Sequence, residues 1–387
     1  MAGHEEDKVL ASVVEVLQAE GSEGFAKALT LLLNTAMLVE REQFTGAKAY
    51  ERSEERRAHA NGFKPKTVKS RVGALSVSVP QVREGGFYPN SLEKGMRSER
   101  ALKLAIAEMY VQGVSTRKMA RVTEELCGFS VTSSEVSRAS KELDGLLSQW
   151  RERPLGAMPY VWLDARYEKI RQNGTVVSCA VLIAKGLRTD GKRMILGVSV
   201  SLSEAEVHWR TFLSSLRERG LHGVTLVTSD AHEGLKKALQ AVFHGVAWQR
   251  CQFHLQQNAS AFVPKKDMKA AVASDIRDIF NVKNREKAEE LLEETIRIYQ
   301  GTAPHLATWM DNNLRDGFSV FALPKAHRIK CRTTNPLERV NREVKRRTAV
   351  ATLFPNEASC LRLVSAVLME ISDDWETDEQ AYMKVEL

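Results

Sequence analysis

Nowhere in this 387-residue chain does an uninterrupted apolar stretch approach the ~20 residues that a membrane-spanning helix needs. That absence excludes an integral helical membrane protein. The opening Met-Ala-Gly-His-Glu-Glu-Asp-Lys is acidic and has no export-signal pattern. Cysteines are few: Cys127, Cys179, Cys251, Cys331 and Cys360, five in all, scattered and odd in number. They do not make a disulfide framework, so a soluble protein in a reducing cytosol is expected. What the chain does have is 43% hydrophobic residues, enough for buried cores, and 56 Lys and Arg against 49 Asp and Glu, a net charge of +7. The length suits two or three domains. The charge suits a polyanionic partner, although many soluble proteins share it.

Residues 1–60 carry apolar side chains at helical spacing. Phe25, Leu29, Leu32 and Leu33 fall on one face, continued by Met37 and Phe44, which reads as a helical bundle or an oligomerisation surface. A charged run spans 51–57. Asn61-Gly-Phe-Lys-Pro-Lys reads as a turn cluster, and 67–80 alternates like two strands around Gly73. From Ser98 to Trp150 the pattern is helix, break, helix, break, helix. Ser115 is placed to cap 116–126, Gly128 to end it, and Thr132 or Ser133 to cap a helix running through Val136, Leu143 and Leu147. This spacing fits a DNA-binding helix-turn-helix whose last helix shows Ser134, Ser137, Arg138 and Lys141 to phosphates and base edges. It fits an ordinary helical hairpin equally well.

After a Pro154–Pro159 linker the texture changes. Strand-like runs occupy 160–164, 175–184 and 193–201, the last two joined by the hairpin signal Thr189-Asp-Gly-Lys. Helix 204–219, strand 223–229, helix 231–242 and a strand near 246–251 follow. A three-stranded meander leading into alternating helix and strand is the order of a ribonuclease H-like α/β domain. From about 258 to 328 only amphipathic helices appear, so the expected catalytic core is interrupted by an all-helical insertion. It resumes near Lys330 with helices at 336–348 and 357–375. The expected divisions are a helical region 1–60, a DNA-binding region 61–150, core segments 157–258 and 329–387, and an insertion 259–328.

Three acids stand out. Asp164 and Asp230 follow apolar runs, and Glu338 lies in Arg-Thr-Thr-Asn-Pro-Leu-Glu-Arg-Val-Asn-Arg. Each has a plain structural reading: a strand-end turn for Asp164, and capping boxes for Asp230 with Glu233 and for Asn335 with Glu338, with Pro336 suited to the first helical turn. What favours chemistry is convergence. Carboxylates meeting at adjacent strand ends repel unless divalent cations neutralise them. A pair of Mg²⁺ ions ~4 Å apart activates one oxygen and stabilises another in in-line phosphoryl transfer. Positions 338, 342 and 345 share a helical face, which puts Arg342 and Lys345, with Arg346 and Arg347 nearby, in reach of a DNA backbone. Cys251 and His254 form half of a zinc-like pattern that His327 and Cys331 would complete. No second tight cluster supports it, so no zinc is expected.

Several blocks resemble Mutator-type transposases of bacterial insertion sequences, within the DDE superfamily. They are Leu163-Asp-Ala-Arg-Tyr, Val227-Thr-Ser-Asp-Ala-His, Arg250-Cys-Gln-Phe-His, Arg332-Thr-Thr-Asn-Pro-Leu-Glu-Arg-Val-Asn-Arg-Glu-Val-Lys-Arg-Arg-Thr and Phe354-Pro-Asn-Glu-Ala-Ser. Gly113-Val-Ser-Thr-Arg and Val136-Ser-Arg match the family's upstream helix-turn-helix, and the likeness covers about 60–376. The resemblance implies metal-binding catalytic acids at Asp164, Asp230 and Glu338, a basic residue at Lys345, and a Cys-x-x-His signature at Cys251 and His254 beside the metals. It also implies Mg²⁺ dependence, with Mn²⁺ substituting, and binding of double-stranded DNA at terminal inverted repeats and at the target. A homo-oligomeric synaptic complex (a dimer), a circular intermediate and residence on the bacterial nucleoid are further expectations. The competing functions are a transposase-derived DNA-binding regulator and a ribonuclease H-like nuclease without strand transfer.

Overall fold

The computed structural model describes residues 3–48, 51, 53–83, 86–92, 98–351 and 353–384. Of the segments read above, residues 1–2, 49–50, 52, 84–85, 93–97, 352 and 385–387 lie outside the described residues. The chain divides into two units, Met1–Glu142 and Leu143–Leu387.

In the first unit, helices Gly3–Glu20 and Phe25–Thr45 precede a two-stranded antiparallel ribbon, β1 (Ala60–Ser70) and β2 (Gly73–Val82). The apolar stripe of the second helix splits. Met37 is buried against Val68, Leu75, Val77 and Val79, whereas Phe25 is 50% and Leu32 46% exposed. The segment 61–66 is strand rather than the expected turn. A two-stranded ribbon tolerates Gly62 and Pro65, and the register shifts between Ala60 and Phe63 to accommodate them.

Helices Arg100–Val111, Thr116–Cys127 and Ser133–Lys141 enclose Leu102, Ile106, Met119, Val131, Val136 and Ala139. Their ends follow the local signals. The Ser115 hydroxyl accepts from Lys118 N, Gly128 terminates the helix at φ 68°, and Thr132 with Glu135 forms a reciprocal capping box. The last helix ends at Lys141, and a separate helix, Asp144–Glu152, begins the second unit. One helix through Leu147 was expected. Asp144 is instead bonded by both nitrogens of the Arg362 fork, 2.6 and 2.8 Å, which ties this helix to Glu357–Thr377.

The second unit is built on a five-stranded sheet: β3 (Tyr160–Gln172), β4 (Thr175–Leu187), β5 (Arg193–Ser201), β6 (Leu226–Ser229) and β7 (Ala247–Arg250). The order is β5-β4-β3-β6-β7, with β5, β4 and β3 antiparallel and β3, β6 and β7 parallel. From Cys179 to Ala184 every β4 side chain is 0% exposed, as in a strand covered on both faces. Helices Glu206–Glu218 and Glu233–Val242 cover one face through Trp209, Phe212, Leu213 and Leu235. Glu357–Thr377 packs on β5 and β3, and its Ser372 hydroxyl accepts from Ile195 N at 3.1 Å. From Gln252 to Cys331 the described backbone contains helices and no strand, around a separate core that includes Ile276, Leu292, Leu306 and Phe318.

Trp209 is fully buried in the layer between helix and sheet. Trp209→Ala should lower the unfolding free energy by about 3–5 kcal/mol in guanidinium titrations. A loss below about 1 kcal/mol would mean that this layer is not a packed core.

Candidate active site

The parallel pairing of β3 with β6 runs Tyr160↔Leu226, Val161↔Val227, Trp162↔Thr228. Asp164 and Asp230 each stand two residues beyond the last pair, at equivalent positions on neighbouring strands. Asp164 is not a strand-end turn, because β3 continues to Gln172 and pairs Asp164 with Ile183 of β4. Burial does fall at this point: residues 160–163 are buried and Asp164 is half-buried. Its Oδ1 accepts from Ala165 N (2.9 Å) and its Oδ2 from Asn341 Nδ2 (2.7 Å).

Neither capping-box reading holds. The helix after Asp230 is capped by His232 with no side-chain bond, and Asp230 accepts from Ala231 N at 2.7 Å. The Asn335–Thr348 helix has Thr334 at its N-cap, again without a side-chain bond, and Pro336 in its first turn. Glu338 is therefore free of a capping role, and its Oε1 is buried without a hydrogen-bond partner.

This helix lies along β3. Arg166 Nη1 donates to Asn341 O (2.6 Å), Asn341 Nδ2 to Asp164, and the Thr348 hydroxyl to Glu168 Oε1 (2.8 Å). Cys251 secures its start. Cys251 N donates to Ser229 O (2.8 Å), while its sulfur accepts from Thr334 N and Oγ1, both at 3.4 Å. One buried residue thus touches the end of the strand before Asp230 and the start of the helix that carries Glu338. His254 Nδ1 lies 4.0 Å from Asp230 Oδ1, and its Nε2 lies 3.7 Å from Glu338 Oε1.

Burial raises the Asp164 carboxyl to about 6, with Glu338 and Asp230 adding to the rise and the Ala165 N–H and His254 opposing it. The sulfur of Cys251, with Asp230 and Asp164, raises the His254 imidazole to about 9 against burial. An imidazolium accordingly sits among the acids. Among the described residues, no three His, Cys, Asp or Glu side chains stand close enough to hold a metal. The donor chemistry nevertheless fits a hard cation, with carboxylate oxygens on three elements and an orphaned oxygen on Glu338.

Other residues differ from expectation or were missed. Both ring nitrogens of His327 are engaged, by Tyr160 Oη (2.9 Å) and Lys384 O (2.8 Å), so His327 does not complete a zinc pattern with Cys251 and His254. Arg342 and Lys345 are exposed and form no ion pair among the described residues. Arg346, grouped with them in the sequence, is exposed but bonded to Glu343, and Arg347 is buried between Glu343 and Glu370. Asn341 was legible as the residue three beyond Glu338 on the same helix. Glu204, which shares a cavity of about 260 Å³ with Asp164 and Asp230, follows β5 in a stretch with no signal. In the first unit, Ser134, Ser137, Arg138 and Lys141 are exposed, and Arg138 lines a cavity of about 890 Å³ with Lys64, Lys66 and Lys69.

A sequence model of the Mutator transposase family matches residues 2–378. The chain is 52% identical to the transposase for insertion sequence element IS406 of Burkholderia multivorans, over 97% of this chain and 98% of that one. It is 38% identical to the transposase for ISRM5 of Rhizobium meliloti, over 96% and 93%. It is also 38% identical to the transposase for IS256 in transposon Tn4001 of Staphylococcus aureus, over 92% of each.

A carboxyl raised to about 6 costs folding energy wherever it is ionised, and the cost disappears below its unfolded value near 3.8. Asp164→Asn should therefore stabilise the metal-free protein by ~1–3 kcal/mol at pH 8 and leave it unchanged near pH 3.5. Urea titrations in chelator at the two pH values measure this. Equal effects at both would show that Asp164 is not the strained acid.

Proposed function

The chain belongs to the Mutator family of transposases, and on that premise we propose that it cleaves the ends of an insertion sequence and joins the freed 3′-OH to target DNA. The observation that carries this reading is the register of Asp164 and Asp230 on neighbouring parallel strands, with Glu338 delivered by a helix bonded to β3. The meander β3-β4-β5 followed by parallel β6 and β7 supports a ribonuclease H-like core, interrupted by a helical insertion at about 259–328.

Asp164, Asp230 and Glu338 would hold Mg²⁺, or Mn²⁺ in its place. Bound there, the ions supply an activated oxygen nucleophile and neutralise charge developing on the scissile phosphate. The chain's own residues do the rest. Asn341 and the Ala165 N–H orient Asp164, Cys251 sets the spacing between the Asp230 strand and the Glu338 helix, and Arg342 and Lys345 neutralise backbone phosphates. His254 balances the acids while they lack a cation. Lys345 stands about 10.5 Å along the helix from Glu338 on the same face, which suits a phosphate neighbouring the scissile one.

In the first unit, the capped helices Thr116–Cys127 and Ser133–Lys141 form a helix-turn-helix that reads the terminal inverted repeats, with Arg138 and Lys141 toward the DNA and the β1 lysines beside them. The working form is a dimer joining two ends, the product pathway runs through a circular element, and the protein resides on the bacterial nucleoid. No helix among the described residues is long and apolar enough to cross a membrane.

Asp164→Ala, Asp230→Ala and Glu338→Ala should each abolish Mg²⁺-dependent cleavage and joining of end-containing DNA while sparing specific end binding. Normal turnover by any one of them would remove that acid from the site. Arg138→Ala should weaken inverted-repeat binding by about 1–3 kcal/mol if it contacts a base edge; an unchanged footprint places recognition elsewhere. Lys345→Ala should slow strand transfer at least tenfold with little loss of bulk DNA affinity, whereas Arg346→Ala, whose charge Glu343 already takes up, should change transfer by less than about twofold. Equal small effects would show that Lys345 is only a solvated charge.

A further inference from the structure

The Asn335–Thr348 helix has a second working face. Glu338, Asn341 and Lys345 fall on one side of it, where Asn341 bonds Asp164 of β3. Asn335, Arg339 and Glu343, four residues apart, line a different cavity of about 470 Å³. Its other walls include Arg193, Lys330, Trp375 and Tyr382.

This cavity is rich in cations that lack anions. The Arg193 guanidinium lies 4.5 Å from the centroids of both Trp375 and Tyr382, and Lys330 Nζ lies 4.4 Å from Tyr382. Behind the rings, Lys185 is wholly buried without a hydrogen-bond partner, its Nζ 4.1 Å from Trp162 and 4.7 Å from Tyr382. Arg193, Lys330 and Arg339 make no salt bridge among the described residues. The carboxylate on the cavity wall, Glu343, is already bonded to Arg346 and Arg347. The start of the helix, where Asn335 stands, adds the positive end of the helix dipole, although Leu337 N and Glu338 N are already bonded to Thr334 O.

Burial, with Arg193 and Lys330 nearby, holds the Lys185 amine well below the usual lysine range, so the unpaired charges that an anion would complete are those of Arg193, Lys330 and Arg339. A guanidinium stacked between two rings is held still and keeps its in-plane N–H edges free for phosphate oxygens. Trp375 is half-buried and offers an aromatic surface at the same place. A base inside a duplex has its faces covered by its neighbours, so only a base out of the stack can use such a surface.

Resting on the transposase reading above, we propose that this cavity takes one nucleotide displaced from the duplex near the cleavage point, its phosphate on Arg193, Lys330 and Arg339 and its base against Trp375. Glu338 and Arg339 stand about 100° apart around the helix, so the two faces adjoin and lie no farther apart than the helix diameter of about 10 Å. That is at most about three steps of a DNA strand. The element that delivers Glu338 to the scissile phosphate would then also grip the strand a short distance away. The position of the displaced nucleotide and the point of cleavage would be fixed by one rigid body.

The test uses the full-length protein and end-containing duplexes carrying 2-aminopurine at successive positions around the cleavage site, in Ca²⁺ to prevent turnover. Fluorescence should rise several-fold at one position, within a few nucleotides of the cut. Trp375→Leu and, separately, the exposed substitution Lys330→Gln should each reduce that rise at least threefold while retaining end binding. Lys330→Gln keeps the test decisive if Trp375→Leu does not fold. Wild-type cleavage with no position brightening, or brightening that survives both substitutions, overturns the assignment. Saturable binding of dAMP by the DNA-free protein, without brightening on the DNA, gives the cavity to a free nucleotide and also overturns it. Failure of the wild type to bind or cut the ends overturns the transposase reading, and this inference with it.

Discussion

The contact on which the site depends is the clasp between β3 and the Asn335–Thr348 helix. Asp164 is fixed by backbone pairing with Ile183, and Asp230 directly follows the paired strand β6. Glu338 has no such anchor, since its helix follows a long helical segment and returns to the sheet from outside. Three bonds place it: Arg166 to the Asn341 carbonyl, Asn341 to Asp164, and Thr348 to Glu168. Arg166 is itself held by Glu168 at 2.6 Å, so one short stretch of β3 supplies both the acid and the surface that docks its partner helix. The bond from Asn341 to Asp164 couples the two functions directly. Loosening the helix also frees the first acid.

The electrostatics of the site follow from this placement. Burial raises the proton affinity of Asp164, and the nearby Glu338 and Asp230 add to that rise. His254 reduces the repulsion, held in its charged form by Cys251, Asp230 and Asp164. Cys251 and His254 are thus both engaged with the elements that carry the acids. The cysteine spans two elements by hydrogen bonds, and the histidine supplies positive charge between two acids. That division also accounts for the chemistry of the pair. A buried sulfur can accept two long, soft hydrogen bonds from Thr334 at little desolvation cost, whereas a carboxylate in its place would add another negative charge to an acidic site.

How much of this was legible in the sequence depended on the range of the forces involved. Ser115, Gly128 and the Thr132–Glu135 pair are local signals, set by backbone groups within one turn, and each appears where the sequence put it. The Thr189–Lys192 hairpin is equally local, and Arg188 N bonds to Lys192 O at 2.9 Å across it. The second half of β3 was not legible. Residues 164–172 are largely polar and carry no strand pattern of their own, and they are extended because β4 pairs with them along their full length. The break between Lys141 and Asp144 was missed for a similar reason. The apolar spacing through Leu147 is continuous, but Arg362, distant in sequence, captures Asp144. Among the cations after Glu338, spacing gave their faces but not their partners. It grouped Arg346 with Arg342 and Lys345, and Glu343 sets it apart.

The same distinction separates the two faces of the Glu338 helix. The face toward β3 was readable because acids and bases recur there at helical spacing. The adjoining face could not be read, since Arg193, Lys330, Trp375 and Tyr382 come from four separate stretches and meet only in the folded chain. Their meeting has a physical consequence for the helix between them. One side carries Glu338, whose Oε1 has no hydrogen-bond partner, and the other is bordered by Arg193, Lys330 and Arg339, which make no salt bridge among the described residues. If these charges answered one another directly, Glu338 would turn toward Arg193 and Arg339 and the site would collapse into an internal ion pair. The rigid rotation of the helix, set by Asn341 and Arg166 on β3, keeps the two sets apart and leaves both available to charges brought by a ligand.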